Sequence, residues 1–200
     1  MGASWEGGRS PGVSGMFQDI DTTLAALLRA ELPSDVAQYV GISFATPDSA
    51  FPPSWVELPS INFFLYQAQP NWELRNIEPT MERQLDGNVT RVPAPARVNC
   101  HFLVTAWSKT GVAHSEDDEH RLLGETMRVL MRHRELPREA LCGSLRGQTT
   151  PVRAIVQAGV PGPFDIWQAL GSRPRAAFLY SITVPMDIHP PEIEGRMVGA

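Results

Sequence analysis

The best candidate for chemistry in this chain is a group of five residues, His114, Asp117, Asp118, Glu119 and His120. Two imidazoles and three carboxylates so close together are the donor types that a divalent metal takes, and a metal-dependent hydrolase is the enzyme they would suggest. The same acids have a plainer use. Ser115 stands where a helix would start, and carboxylates in a first helical turn meet its unpaired amides and the positive end of its dipole. Capping is therefore the preferred reading, with metal chemistry as the alternative.

Other reactive types are weaker. Arg128, Arg132, His133, Arg134 and Arg138 could hold a phosphate, but cations are expected at the end of a helix and a solvated face explains them. Trp72, Trp107 and Trp167 could form a ligand cage, although aromatic residues in or beside strands are more often core. Cys100 sits inside an apolar run and is expected to be inert. His101 beside it reads as a core or interface histidine. Cys100 and Cys142 lack the spacing of a metal finger or a disulfide framework. No G-x-S-x-G, Walker A, G-x-G-x-x-G or H-E-x-x-H motif occurs, and no cofactor is expected.

The elements that would position these residues can be read from periodicity. Residues 1–15 are small, Gly- and Ser-rich, and are expected to be a flexible leader. Phe17, Ile20, Leu24, Leu27 and Leu28 recur at helical spacing, with Asp19 and Asp21 near the start and Pro33 as the stop. Val40–Phe44 reads as a short strand, and 46–59 as an irregular connection holding four prolines. Ser60–Ala68 alternates Phe63 and Leu65 with Phe64 and Tyr66, which suggests a strand covered on both sides. Asp86-Gly87 between two strand-like arms predicts a protruding hairpin. Ala96–Trp107 is the expected central strand.

Ser115–His133 is the clearest helix. Its expected apolar stripe is Leu122, Leu123, Met127, Leu130 and Met131, with outward pairs Arg121–Glu125 and Glu125–Arg128. Further on, a strand at Val152–Val156, a short helix at Phe164–Leu170 capped by Gly171, and a buried strand at Ala176–Val184 follow. The stretch from Pro185, with three prolines, is expected to run out as a tail over 189–200. The sum is one α/β domain over 16–188, a mixed, largely antiparallel sheet packed by two main helices.

Composition narrows the partners. The chain has 200 residues, 42% of them hydrophobic, enough for one core of ordinary size. A net charge of -5 and a single lysine, Lys109, leave no broad basic field for nucleic acid. No apolar run approaches the roughly 20 residues that span a bilayer, so no membrane insertion is expected.

Pro70–Asn76 (PNWELRN) holds more polarity than a turn needs: Asn71, Glu73, Arg75 and Asn76 follow directly on a buried strand. The readings are a turn with side-chain to backbone bonds, or a contact point in a multi-subunit assembly. The ordered series NFFLYQAQPNWELRN, PAPARVNCHFLVTAWS, DEHRLLG, DIWQALG and YSITVP, spanning about 17–188, resembles the tail-terminator, or cap, proteins of extracellular contractile injection systems.

That resemblance implies a fold like phage tail terminators and a structural role without a reaction. The expected partners are identical subunits in a hexameric ring, together with the inner tube and the sheath of a phage tail-like particle assembled in the cytoplasm. The ring would stop polymerisation at the particle's end. Relatives tend to carry Asp and then Arg-Glu where this sequence has Gln67, Gln69 and Pro70, so ion pairs made by those charges are not expected here. The candidate assembly residues are Asn71, Glu73, Arg75, Asn76, Asp86, Gly87, Arg97, Glu119 and His120. A free-standing cytoplasmic adaptor is the remaining alternative to the cap and to the metal-dependent enzyme.

Overall fold

A computed structural model of the chain describes residues 15–74, 80–83, 88–109, 111, 115–157, 162–188 and 192–196. Helix α1 (Met16–Glu31) buries Ile20, Leu24, Leu27 and Leu28. It stops where it must: Leu32 turns extended because Pro33 excludes the helical conformation from the residue before it. Helix α2 (Ser34–Ala37) is a single turn, after which β1 (Gly41–Ser43) runs parallel to β2 (Ser60–Pro70).

β2 pairs antiparallel with β5 (Ala96–Trp107), β5 with β7 (Ala177–Met186), and β7 with β6 (Arg153–Gln157). The resulting sheet has the order β1-β2-β5-β7-β6. One face is covered by α1 and by α3 (Ser115–Arg132), which enclose Ile61, Phe63, Cys100, Phe102, Val104, Tyr180, Ile182 and Val184 in the main core.

The other face carries a second, smaller core at one end. There α4 (Pro163–Leu170) and the proline-rich connection pack Ile166, Trp167, Phe51 and Leu58 over Leu103, Trp107 and Leu179. α4 is held at both ends: Asp165 Oδ2 accepts from Gly162 N at 3.0 Å, and Gly171 closes the helix with φ 64°.

A second sheet, β3-β4-β8, is built from β3 (Thr80–Arg83), β4 (Asn88–Val92) and β8 (Glu192–Arg196). The arms of the expected hairpin are therefore paired, while its Asp86-Gly87 turn lies outside the described residues. Within the stretch expected to be a tail, β8 pairs with β4.

Several expectations are corrected. β2 is buried at its start and exposed from Gln67 to Pro70. A bulge at Tyr66, opposite the step from Phe102 to His101, shifts the alternation and puts Gln67 and Gln69 on the same face as Phe64. On α3, Val129 and Thr126 are buried while Met131 is exposed, so the buried stripe runs through Leu122, Thr126, Val129 and Leu130. Arg121 reaches Asp35 at 2.8 Å rather than Glu125, whereas the Glu125–Arg128 pair forms as expected.

Candidate functional site

Three of the five motifs that carry the family resemblance come from β2, β5 and β7, which are neighbours in the sheet, and the other two lie on α3 and α4. Period-two alternation puts the polar members of the three strands on the face opposite α1 and α3, beyond the end that α4 covers. There the side chains bond across the strands. Asn99 Oδ1 accepts from Asn71 Nδ2 at 3.2 Å and from Thr183 Oγ1 at 2.8 Å. His101 Nδ1 shares a hydrogen bond with Ser181 Oγ, and Gln69 lies 3.4 Å from its Nε2. Burial holds the His101 pKa below the usual imidazole value, with a hydrogen bond to Gln157 opposing the shift, so the ring is neutral near pH 7. Burial likewise pushes the Cys100 thiol up to about 12, in keeping with an inert core cysteine.

The polar corner at 70–76 divides. Asn71 is a turn residue: its N–H donates to Arg97 O at 2.7 Å, and its Oδ1 accepts from Leu74 N at 3.0 Å. Trp72, Glu73 and Leu74 are exposed. Arg75 and Asn76 lie outside the described residues. Trp72 is 68% exposed while Trp107 and Trp167 are buried in the second core, so the three tryptophans form no cage.

Glu119 and His120, adjacent in sequence, do different things. Glu119 Oε1 accepts from Ser108 N at 3.2 Å, Ser108 Oγ at 3.0 Å and Arg175 Nη1 at 2.6 Å. Arg175 in turn lies 4.1 Å above the Trp107 ring. Glu119 is thus a tie between α3, the end of β5 and the chain before β7, and its carboxylate faces these donors. His120 is exposed. His114 lies outside the described residues, among which no three metal-ligating side chains converge. Glu119→Ala is expected to cost about 1–2 kcal/mol by stranding Ser108 N–H and Arg175, read as a lower melting temperature. His120→Ala should stay within about 0.5 kcal/mol of the parent.

The basic run after Met127 is also partly occupied: Arg128 pairs with Glu125, and Arg132 and His133 pair with Glu31 of α1. The sequence signal for the polar ladder was present as alternate polar residues, Asn99 with His101 and Ser181 with Thr183, inside apolar strands. The Glu119–Arg175–Trp107 tie had no such signal, since Arg175 comes from a distant irregular segment.

This fold, a mixed, mostly antiparallel sheet with α1 and α3 on one face and α4 on the other, matches that of solved tail terminators. The sheath/tube terminator of the extracellular contractile injection system PVC, in its extended state, superimposes with a TM-score of 0.63 at 21% identity, over 96% of this chain and 62% of that one. The tube-terminating cap of the anti-feeding prophage superimposes with a TM-score of 0.62 at 21% identity, over 92% of this chain and 59% of the other. The chain belongs to the Pvc16 N-terminal domain family, whose sequence profile matches residues 19–199. It spans about three fifths of the length of the two terminators. No curated protein matches it.

Proposed function

We propose that this chain is a structural cap, a tail terminator that closes the end of the tube and sheath of a contractile injection system. The observation that carries this reading is the superposition of nearly the whole chain on a sheath/tube terminator and on a tube-terminating cap, within one family. Identical subunits form a closed ring, a hexamer, assembled in the cytoplasm as part of the particle. One face of the ring matches the growing end and the other offers nothing to add to.

The candidate contacts with the tube, the sheath and the neighbouring subunit are Asn71, Glu73, Arg75, Asn76, Asp86, Gly87, Arg97 and His120. Glu73 and His120 are exposed and Arg97 is half-buried; Glu119, also a candidate, is already engaged by Ser108 and Arg175. The hairpin of β3 and β4 belongs to a sheet of its own with β8, which suits it to reach a second component.

Removing the chain from a particle-producing strain should broaden the distribution of tube lengths, seen by electron microscopy of purified particles. Deleting residues 80–92 and the stretch after Ile188 should do the same. Uniform particles of normal length, still carrying the truncated chain at their ends, would overturn the proposed contacts. Uniform particles with no chain at all would overturn the reading itself.

A further inference from the structure

Two guanidinium groups share the end of the sheet face away from α4. Arg97 on β5 lies opposite Pro185, and Arg153 on β6 lies opposite Thr183, so the two stand diagonally across β7. Burial, and then the charge of Arg153, hold the Arg97 pKa below the usual arginine value. Arg153 has a carboxylate at 3.8 Å, Glu135, but both side chains are more than half exposed, and such pairs contribute little.

Beside them, Arg134, Arg153, Met131, Ile155 and Thr183 line a groove of about 560 Å³. Met131 is 64% exposed and Ile155 61%. Large apolar side chains left in water and ringed by arginines have the composition of an interface centre. Cations of like charge held together on such a surface favour an incoming carboxylate.

The groove lies at the end of α3, and the start of α3 carries the opposite charge. Glu116, Asp117 and Asp118 are exposed in its first turn. With 18 residues the helix is about 27 Å long, so the two charged patches are well separated on one subunit. A ring of identical subunits that meet head to tail joins two different patches of the same chain.

We propose that the groove of Met131, Arg134, Arg153 and Ile155, together with Arg97, receives the acidic first turn of α3 from a second copy of this chain. This deepens the cap reading and rests on its ring. Arginine forks take carboxylates through paired hydrogen bonds, Met131 and Ile155 supply the apolar centre, and the direction of α3 fixes the direction of the ring.

Charge swapping tests it. One variant carries Arg97→Glu and Arg153→Glu, the other Asp117→Arg and Asp118→Arg, each in the full chain expressed with the tube and sheath. The readout is the fraction of particle ends that carry the chain. Either variant alone should lower that fraction at least tenfold, since every contact then joins like charges. The two expressed together should restore it, because an alternating ring pairs each reversed patch with its complement.

Full occupancy by either variant alone overturns the proposal. So does failure of the mixture to restore occupancy, which would assign the groove to the tube or sheath instead. If a reversed variant does not fold, Arg153→Gln and Asp118→Asn carry the same test. Each should lower occupancy about threefold, with no further loss when combined, and additive losses would overturn the contact. Parent protein missing from particle ends would overturn the cap reading itself, and the contact with it.

Discussion

Gly143→Ala is expected to lower the stability of this fold by about 3 kcal/mol, the sum of a strained backbone and a displaced buried carboxylate. Gly143 has φ 55°, and a Cβ built there falls on the carboxylate of Asp19, within 2.5 Å of both oxygens and the carbon between them. Asp19 cannot step aside freely. It is 5% exposed on α1, and its Oδ2 accepts from Ser144 N at 2.9 Å and Ser144 Oγ at 2.6 Å. The carboxylate thus pins α1 to the short 3-10 turn Gly143–Leu145.

For a domain of this size, a loss of 3 kcal/mol lowers the melting temperature by about 6–12 °C. Gly147→Ala is the control: nothing lies within 4 Å of a Cβ there and its φ is not positive, so its melting temperature should stay near that of the parent. In a double-mutant cycle, Asp19→Ala should cost less in the Gly143→Ala background than in the parent, because the clash has already broken the same bonds. Simple additivity would show that the two residues are not coupled.

Asp21→Asn should raise stability at neutral pH and flatten its pH dependence. Asp21 also lies on α1, and its charge acts on the Cys100 thiol in the core. Burial raises its pKa from 3.8 to about 6. Between those values the folded chain holds a proton that the unfolded chain releases, so stability falls as pH rises from about 4 to about 6, and the cost persists above that. Moving a carboxyl that far corresponds to about 3 kcal/mol for a fully buried group. Asp21 is half-buried, and solvent screening reduces this to about 1 kcal/mol.

The asparagine variant should accordingly melt about 2–4 °C higher at pH 7 and gain nothing near pH 4. Melting curves at several values between pH 4 and 8 decide the matter. An unchanged slope in the variant would mean that another group carries the dependence.

Asp19 and Asp21 also show where the sequence was misleading. Both read as acids placed near a helix start for its dipole. One proves to be a buried tether and the other a half-buried carboxylate disfavoured by desolvation, because burial depends on what packs over α1, and the turn that holds Asp19 lies far along the chain. The Tyr66 bulge is similar: strict alternation was the natural reading of Ser60–Ala68, and only pairing with β5 shows where one extra residue enters.

The sequence by itself determined the element types and the main core. Helical spacing in α1 and α3, the β-branched and aromatic run of β5, the Asp-Gly hairpin signal and the Gly171 cap are local properties, set by side-chain period and backbone sterics within a few residues. Its ordered motifs also carried the terminator resemblance that family membership bears out. Tertiary structure alone decided which polar residues act together. Strand order made neighbours of Asn71, Asn99 and Thr183, packing drew Glu119 inward to Ser108 and Arg175, and α4 confined the second core to one end of the sheet. Within the candidate metal cluster Glu119 turns to Ser108 and Arg175 for the same reason: the direction of a side chain is chosen by partners distant in sequence, which spacing along the chain does not encode.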